Sequence, residues 1–551
     1  PTAGSGAISA GALTRTTSRR WSTHHDATTY HYSTLMPSHT AIARERALAS
    51  RLARFASRYF LLIVVAVALV VALVVALTGA YPHRTPETLL ARDILTYQPL
   101  LLTVAVILSM GAVLLPWLEA KGVTRTTGAK LDYRHHFVPL LCFGLGYANL
   151  LLGVVDSYLG LQTLFLIGMI VDNRLEERAN LCRPLRQRIV FPLALTAALY
   201  ILYTAVVVVG WSANKEIALD YWSREVWLLA IPLYFLIYSG PSKYLTQSFW
   251  QAVLRIAWIY LVVFLIFYYS VLISCGASPF ITLTLNKGYL NEAGFVTDSS
   301  HMLMPFTFTH YTYLGIYLLI PVVMSICSRE RTLRLQAYAV LLAIVLYAYA
   351  LQARYLLLMA VAVGGYALLY QITARIQGVK HMGRLAAYVI LSGALLLTLV
   401  YTTSPYLMHG YFDGTVRNDA LLVSYQAVHD VPILIGGGLD YAYTLLQTLP
   451  FGTAEEPHLF HFHNQYMQTL VQSGIIGLML WLSLLGSMLW IARKRHHSAL
   501  IVVISLWIIL CNVDLVSYIP EYLIGMLFLL CLALSSDVSL EKSIRTVPIC
   551  E

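Results

Sequence analysis

The sequence predicts an all-α, polytopic membrane fold, and three observations predict it. Of 551 residues, 58% are hydrophobic and only 12% are charged, with a mean hydropathy of +0.68. Apolar runs long enough to cross a bilayer, roughly 17–25 residues each, recur along the chain. The cations behind the formal net charge of +10 gather in the short connectors between those runs. That is the pattern of the positive-inside rule, so the charge does not point to nucleic acid. The seven cysteines are scattered with no CxxC pair, which argues against a metal or disulfide framework.

Taken in order, residues 1–35 are polar, lack hydrophobic periodicity and read as disordered, with Met36 a candidate natural start. No apolar leader core precedes Phe60, so no cleavable signal peptide is expected. Arg44 to Arg58 is strongly basic, so 1–58 forms a basic cytoplasmic segment. A helical bundle is expected over 59–402, with spans near 60–80, 98–118, 137–154, 158–171, 189–212, 225–240, 254–274, 309–327, 335–352, 355–373 and 385–402. The stretch 137–171 reads either as one long helix or as a broken one. Three last spans, near 466–491, 498–512 and 520–535, precede a cytoplasmic tail at 536–551. In all, about 12–14 transmembrane helices are predicted.

The remaining segment, 403–465, is too long and too patterned for a connector. Arg417 to Val428 and Asp440 to Leu449 each carry helical apolar spacing, and Gly436-Gly437-Gly438 stands between them. Long structured loops are more often functional. Alternation of the basic connectors places this loop on the outward side of the membrane. The loop is acidic except for Arg417, which reads either as a salt-bridge partner or as an anion ligand. Arg354 lies between two spans at the outer boundary, where few arginines are expected; it reads as a snorkelling anchor or a functional group.

The loop ends at His461-Phe462-His463-Asn464 and runs into an apolar helix. A helix entry has free N–H groups and a positive dipole end, which favour an anion, and a neutral His there can accept a proton. The bland alternatives are a capping or solvated His and, for Gly474 and Gly477, close helix packing. An HxH metal pair lacks a third ligand at a recognisable spacing, so no metal and no cofactor is expected.

His463-Asn464, nine residues, then Gly474-Ile475-Ile476-Gly477 resembles the HN-x9-GxxG signature of the O-antigen ligase family. Asp430 to Leu439 resembles the loop segment that those ligases share with O-antigen polymerases. The likeness covers roughly 250–535, and this chain has a longer N-terminal half than the family. The resemblance implies an inner-membrane glycosyltransferase with its site on the periplasmic side, His463 as catalytic base, and Arg354, Arg417 and Asn464 as substrate-binding residues. It implies a polysaccharide donor on undecaprenyl pyrophosphate, a lipid A core hydroxyl as acceptor, and metal-independent inverting transfer among membrane lipids. An O-antigen polymerase and a protein O-oligosaccharyltransferase share these features. A lipid-linked glycan transporter is the rival of a different class; it should show an embedded charged pathway and internal repeats, and the sequence shows neither.

Overall fold

A computed structural model describes residues 39–77, 92–126, 133–152, 164–172, 188–238, 240, 243–274, 311–328, 330–375, 382–403, 416–449, 460–513, 515–516 and 520–535. Among them, 88% are helical and none is in a strand, so the chain is an all-α polytopic membrane protein. Contacts divide it between Ala49 and Ser50. Of the first unit only the start of α1 is described; the helical bundle and the candidate site belong to the second.

The helices are α1 (His39–Leu77), α2 (Arg92–Thr126), α3 (Tyr133–Leu152), α4 (164–172), α5 (Phe191–Gly210), α6 (Lys215–Glu225), α7 (Ala230–Ile237), α8 (Lys243–Ser274), α9 (Tyr311–Ile326) and α10 (Arg331–Ala350). They continue as α11 (Arg354–Arg375), α12 (Met382–Thr403), α13 (Val416–Asp430), α14 (Tyr441–Gln447), α15 (Gln465–Lys494), α16 (Ser498–Leu510) and α17 (Pro520–Ser535). Eight of them are long and apolar enough to cross a membrane, and four more apolar helices are shorter. Of the stretch 137–171, α3 is described to Leu152 and α4 from 164; residues 153–163, on which the choice between one long helix and a broken one turns, lie outside the described residues.

Burial sorts the spans into centre and rim. Apolar residues run all round α8, and 78% of its span is buried against α2, α3, α9 and α10. Tyr260, Phe264 and Tyr268 stack along one face of α8, with Tyr347 of α10 packed edge-on against Phe264 at 4.6 Å. α16 is buried along its whole length, among α9, α11, α12 and α15. α1 and α12 lie on the rim, with most of their apolar side chains outward, as lipid-facing helices do.

Side-chain hydrogen bonds fix which helix ends lie together. Arg255 of α8 donates to Ser57 Oγ of α1, and Gln336 of α10 donates to the Ser57 carbonyl at 3.1 Å. Ser57, Arg255 and Gln336 therefore lie at one level, towards the basic end of the bundle. At the opposite end Tyr268 donates to the Ala350 carbonyl at 3.2 Å, and Asn512 beyond α16 donates to Thr398 of α12 at 2.8 Å.

Candidate functional site

The predicted span 466–491 is not one straight helix. A continuous helix of 30 residues would be about 45 Å long, whereas the 13 residues of α16 cover about 20 Å. Yet the two helices are joined by a tight turn at one end, and the Gln465 N–H donates to the Cys511 carbonyl at 2.8 Å at the other. Both facts hold because α15 turns sharply at Gly474, whose φ of 66° and ψ of −169° are not helical. A head segment, 465–473, folds back and the second part, 475–494, makes the crossing. Tyr200 of α5 touches both arms: its hydroxyl bonds with Thr469 and its ring lies 5.5 Å from that of Trp481. The spacing of Gly474 and Gly477 thus marks a chain reversal. A side chain at Gly477 would run into Ser473 across it.

A break of this kind exposes backbone groups that must be satisfied inside a membrane protein. The loop 431–440 satisfies them. Ile475 and Ile476 N–H donate to the carbonyls of Ile433 and Leu434 at 2.9 and 3.2 Å. In return Gly437 and Gly438 N–H donate to Val471 and Gln472 carbonyls at 2.8 and 3.0 Å. Glycine is required where the two backbones meet. Gly436 has φ 76°, and a Cβ on it or on Gly474 would collide with the other segment's backbone. The loop is pinned from the far side by α5 and its extension: Trp211 Nε1 donates to the Ile435 carbonyl at 3.1 Å, Ser212 Oγ accepts from Leu439 N–H at 3.0 Å, and Asp440 accepts from Asn214 N–H at 2.6 Å.

His463 sits immediately before the head. Its φ of 53° puts it in the left-handed region, uncommon for a residue with a Cβ. Its ring is half-buried with Nδ1 inward, 4.1 Å from the His461 ring, and its N–H donates to His461 Nδ1 at 3.3 Å. Asn464 is the N-cap: Oδ1 accepts from Met467 N–H at 2.9 Å, and Nδ2 donates to the Asn512 carbonyl at 3.1 Å. Only 1% of Asn464 is exposed, and its side chain anchors the head to the end of α16.

One sequence-based expectation needs correction. The helix entry was expected to offer free N–H groups to an anion. Gln465 N–H is taken by Cys511, Met467 N–H by the cap, and Gln468 N–H by the Asn464 carbonyl at 2.9 Å. Burying the head against α16 required those donors to be satisfied, so they are not available to a ligand.

Arg354 opens α11 with its side chain exposed, and it makes no hydrogen bond or ion pair from that side chain with any described residue. Its height in the bundle can be read off. Tyr366 on α11 bonds Ser498 at the start of α16 at 2.8 Å. Arg354 stands about 18 Å from Tyr366 and Cys511 about 20 Å from Ser498, towards the same end. Arg354 is therefore level with the head that carries His463. Arg417 lies in the first turn of α13, which packs against α15. Its side chain falls outside the described residues, as do His458, Glu455 and Glu456.

Several polar groups that build the site were not singled out from the sequence. Gln465, Gln468 and Gln472 are all at most 3% exposed. Their i, i+3, i+7 spacing puts three polar side chains on one helix face, which marks a face turned to protein rather than lipid. Gln468 Oε1 accepts from Phe462 N–H at 3.0 Å and Gln472 donates to the Leu439 carbonyl. Glu225, buried at the end of α6, accepts from Tyr200 at 3.0 Å, so a chain of polar contacts runs from a carboxylate to the head. Among the described residues no three His, Cys, Asp or Glu side chains form a metal-binding group. No protein-family model matches the chain, and no characterised protein matches it.

Proposed function

We propose that this protein is a lipid-linked glycan transferase of the O-antigen ligase kind, in the bacterial inner membrane with its site on the periplasmic side. The observation that carries the reading is the backbone reversal that holds His463 in a left-handed turn, directly before a capped, buried helix head, level with the exposed Arg354. The HN-x9-GxxG spacing supports the family, and the alternation of basic connectors supports the orientation.

In this reading His463 takes the proton from an acceptor sugar hydroxyl of the lipid A core. The hydroxyl oxygen attacks the donor's anomeric carbon, and the bond from that carbon to the pyrophosphate oxygen breaks. Undecaprenyl pyrophosphate leaves with the electron pair, and the anomeric centre inverts. With the Gln465, Met467 and Gln468 N–H groups occupied, neutralising the leaving group falls chiefly to Arg354 and Arg417, whose planar guanidinium forks suit a diphosphate. Asn464 serves by fixing the backbone that aims His463. General-base work of this kind contributes about 10²–10⁴-fold.

A second reading, a lipid-linked glycan transporter, is favoured by one observation: broken helices line transporter sites. One reconstituted system separates the two. Purified protein receives polysaccharide-pyrophosphate lipid with lipid A core, or with repeat-unit lipid, as acceptor, with and without chelator. Transfer to the core supports the ligase and chain extension the polymerase; movement of donor across vesicles with no transfer would overturn both.

A further inference from the structure

We infer that the first turns of α1 beyond the hydrocarbon region form a binding surface for anionic phospholipid headgroups in the leaflet at the basic end. The inference rests on α1 alone and is independent of the proposed activity. The apolar run of α1, Phe60 to Leu77, is about 27 Å long and matches the hydrocarbon thickness. Arg58, Arg54 and Arg51 stand at about 3, 9 and 14 Å outside it, across the headgroup zone.

The two faces of this segment differ. Ala53, Ser57, Phe60, Val64 and Ala68 are buried, with Ser57 held by Arg255 and Gln336. On the other face Arg51, Arg54 and Arg58 are exposed beside Leu52 at 58% and Phe55 at 60%. That face continues without a break into Leu62, Leu69, Val70 and Leu73, all outward. That apolar stretch suits acyl chains, and one turn further out the arginines stand at the level of the headgroups of the same lipids. No arginine of the three makes an ion pair with a described residue. The Phe55 and Tyr59 rings pack together, tilted, at 4.6 Å and Arg58 lies 5.7 Å over the Tyr59 ring, an arrangement suited to the interface. The complement in charge and depth is a lipid phosphodiester, and each arginine near an anionic surface is expected to strengthen association about fivefold.

The test uses the full chain reconstituted in phosphatidylcholine vesicles, with spin-labelled phosphatidylglycerol or phosphatidylcholine of the same acyl length. The fraction of label immobilised at the protein is expected to be larger for phosphatidylglycerol, and the difference to shrink with salt. Arg51→Gln, Arg54→Gln and Arg58→Gln should each cut the selectivity, and the triple variant should remove most of it. Arg→Lys at the three sites should keep it, because charge rather than fork geometry is read, so a loss in both triple variants overturns the inference. Equal association of the two lipids with the unaltered protein would also sink the inference, as would undiminished selectivity in the triple glutamine variant, which would put the lipid site elsewhere.

Discussion

At the residue scale, the site turns on positions whose backbone and burial are unusual. His463 combines a positive φ with a place before a buried cap. His463→Ala is expected to reduce transfer in the reconstituted assay by about 10²–10⁴-fold while donor binding persists. His461→Ala should be milder, although that ring packs on His463. Full transfer in His463→Ala, or transfer that requires divalent metal, would end the base assignment. A second histidine tests the fold itself. His497 caps α16 through Nδ1 and is buried, and burial, with Arg495 adding to it, pushes its pKa down to about 4. An unfolded His titrates near 6.5. Above that pH neither state is charged and the group has no effect. As pH falls below 6.5 the unfolded chain binds a proton that the fold refuses, so stability drops until about pH 4, by about 3 kcal/mol. Thermal midpoints in detergent should therefore fall over that window. His497→Asn, which keeps a capping acceptor without the titration, should flatten the profile; an unchanged slope would show that other groups set it.

At the element scale, the reversal in α15 is what converts a membrane helix into a site. A glycine inside a straight helix costs stability, so Gly→Ala there stabilises by up to about 1 kcal/mol. Gly486, with open space around it, is expected to behave that way. Gly474→Ala should have the opposite sign, about 2–3 kcal/mol destabilising, because its φ is positive and its Cβ would meet the Leu434 carbonyl. Equal effects of the two substitutions on the unfolding midpoint would mean that α15 is straight. The arginines belong to two different elements, the start of α11 and the first turn of α13. Arg354→Ala and Arg417→Ala are each expected to weaken donor binding or turnover by tenfold or more, about the 1.5–3 kcal/mol of a hydrogen bond to a charged group. Lysine should restore only part, since it lacks the bidentate fork. Normal donor affinity in Arg417→Ala would return that residue to a salt-bridge role.

At the scale of the whole molecule, hydrogen bonds between helices set which ends lie together, and the reading of which side faces outward rests on the basic connectors. Thr415 and Thr453, both outside the described residues, should accept membrane-impermeant cysteine reagents in intact cells when changed to cysteine; reaction only after the inner membrane is opened would invert the topology.

The sequence by itself determined the class, because crossing lipid demands runs of apolar residues, and those runs are local and countable. It determined the loop helices α13 and α14 for the same reason, through their amphipathic spacing. It also marked the HN-x9-GxxG stretch as a place of interest. What it read there as a helix entry with open N–H groups, leading into one continuous span, only the tertiary structure decided otherwise. The positive φ at Gly474, the donation of Gln465 N–H to Cys511 and the loop carbonyls that satisfy Ile475 and Ile476 join segments far apart in the chain. Hydropathy reports how much of a helix is apolar; it carries no information on which distant backbone group accepts a hydrogen bond, and that pairing is what folds α15 back and sets His463 level with Arg354.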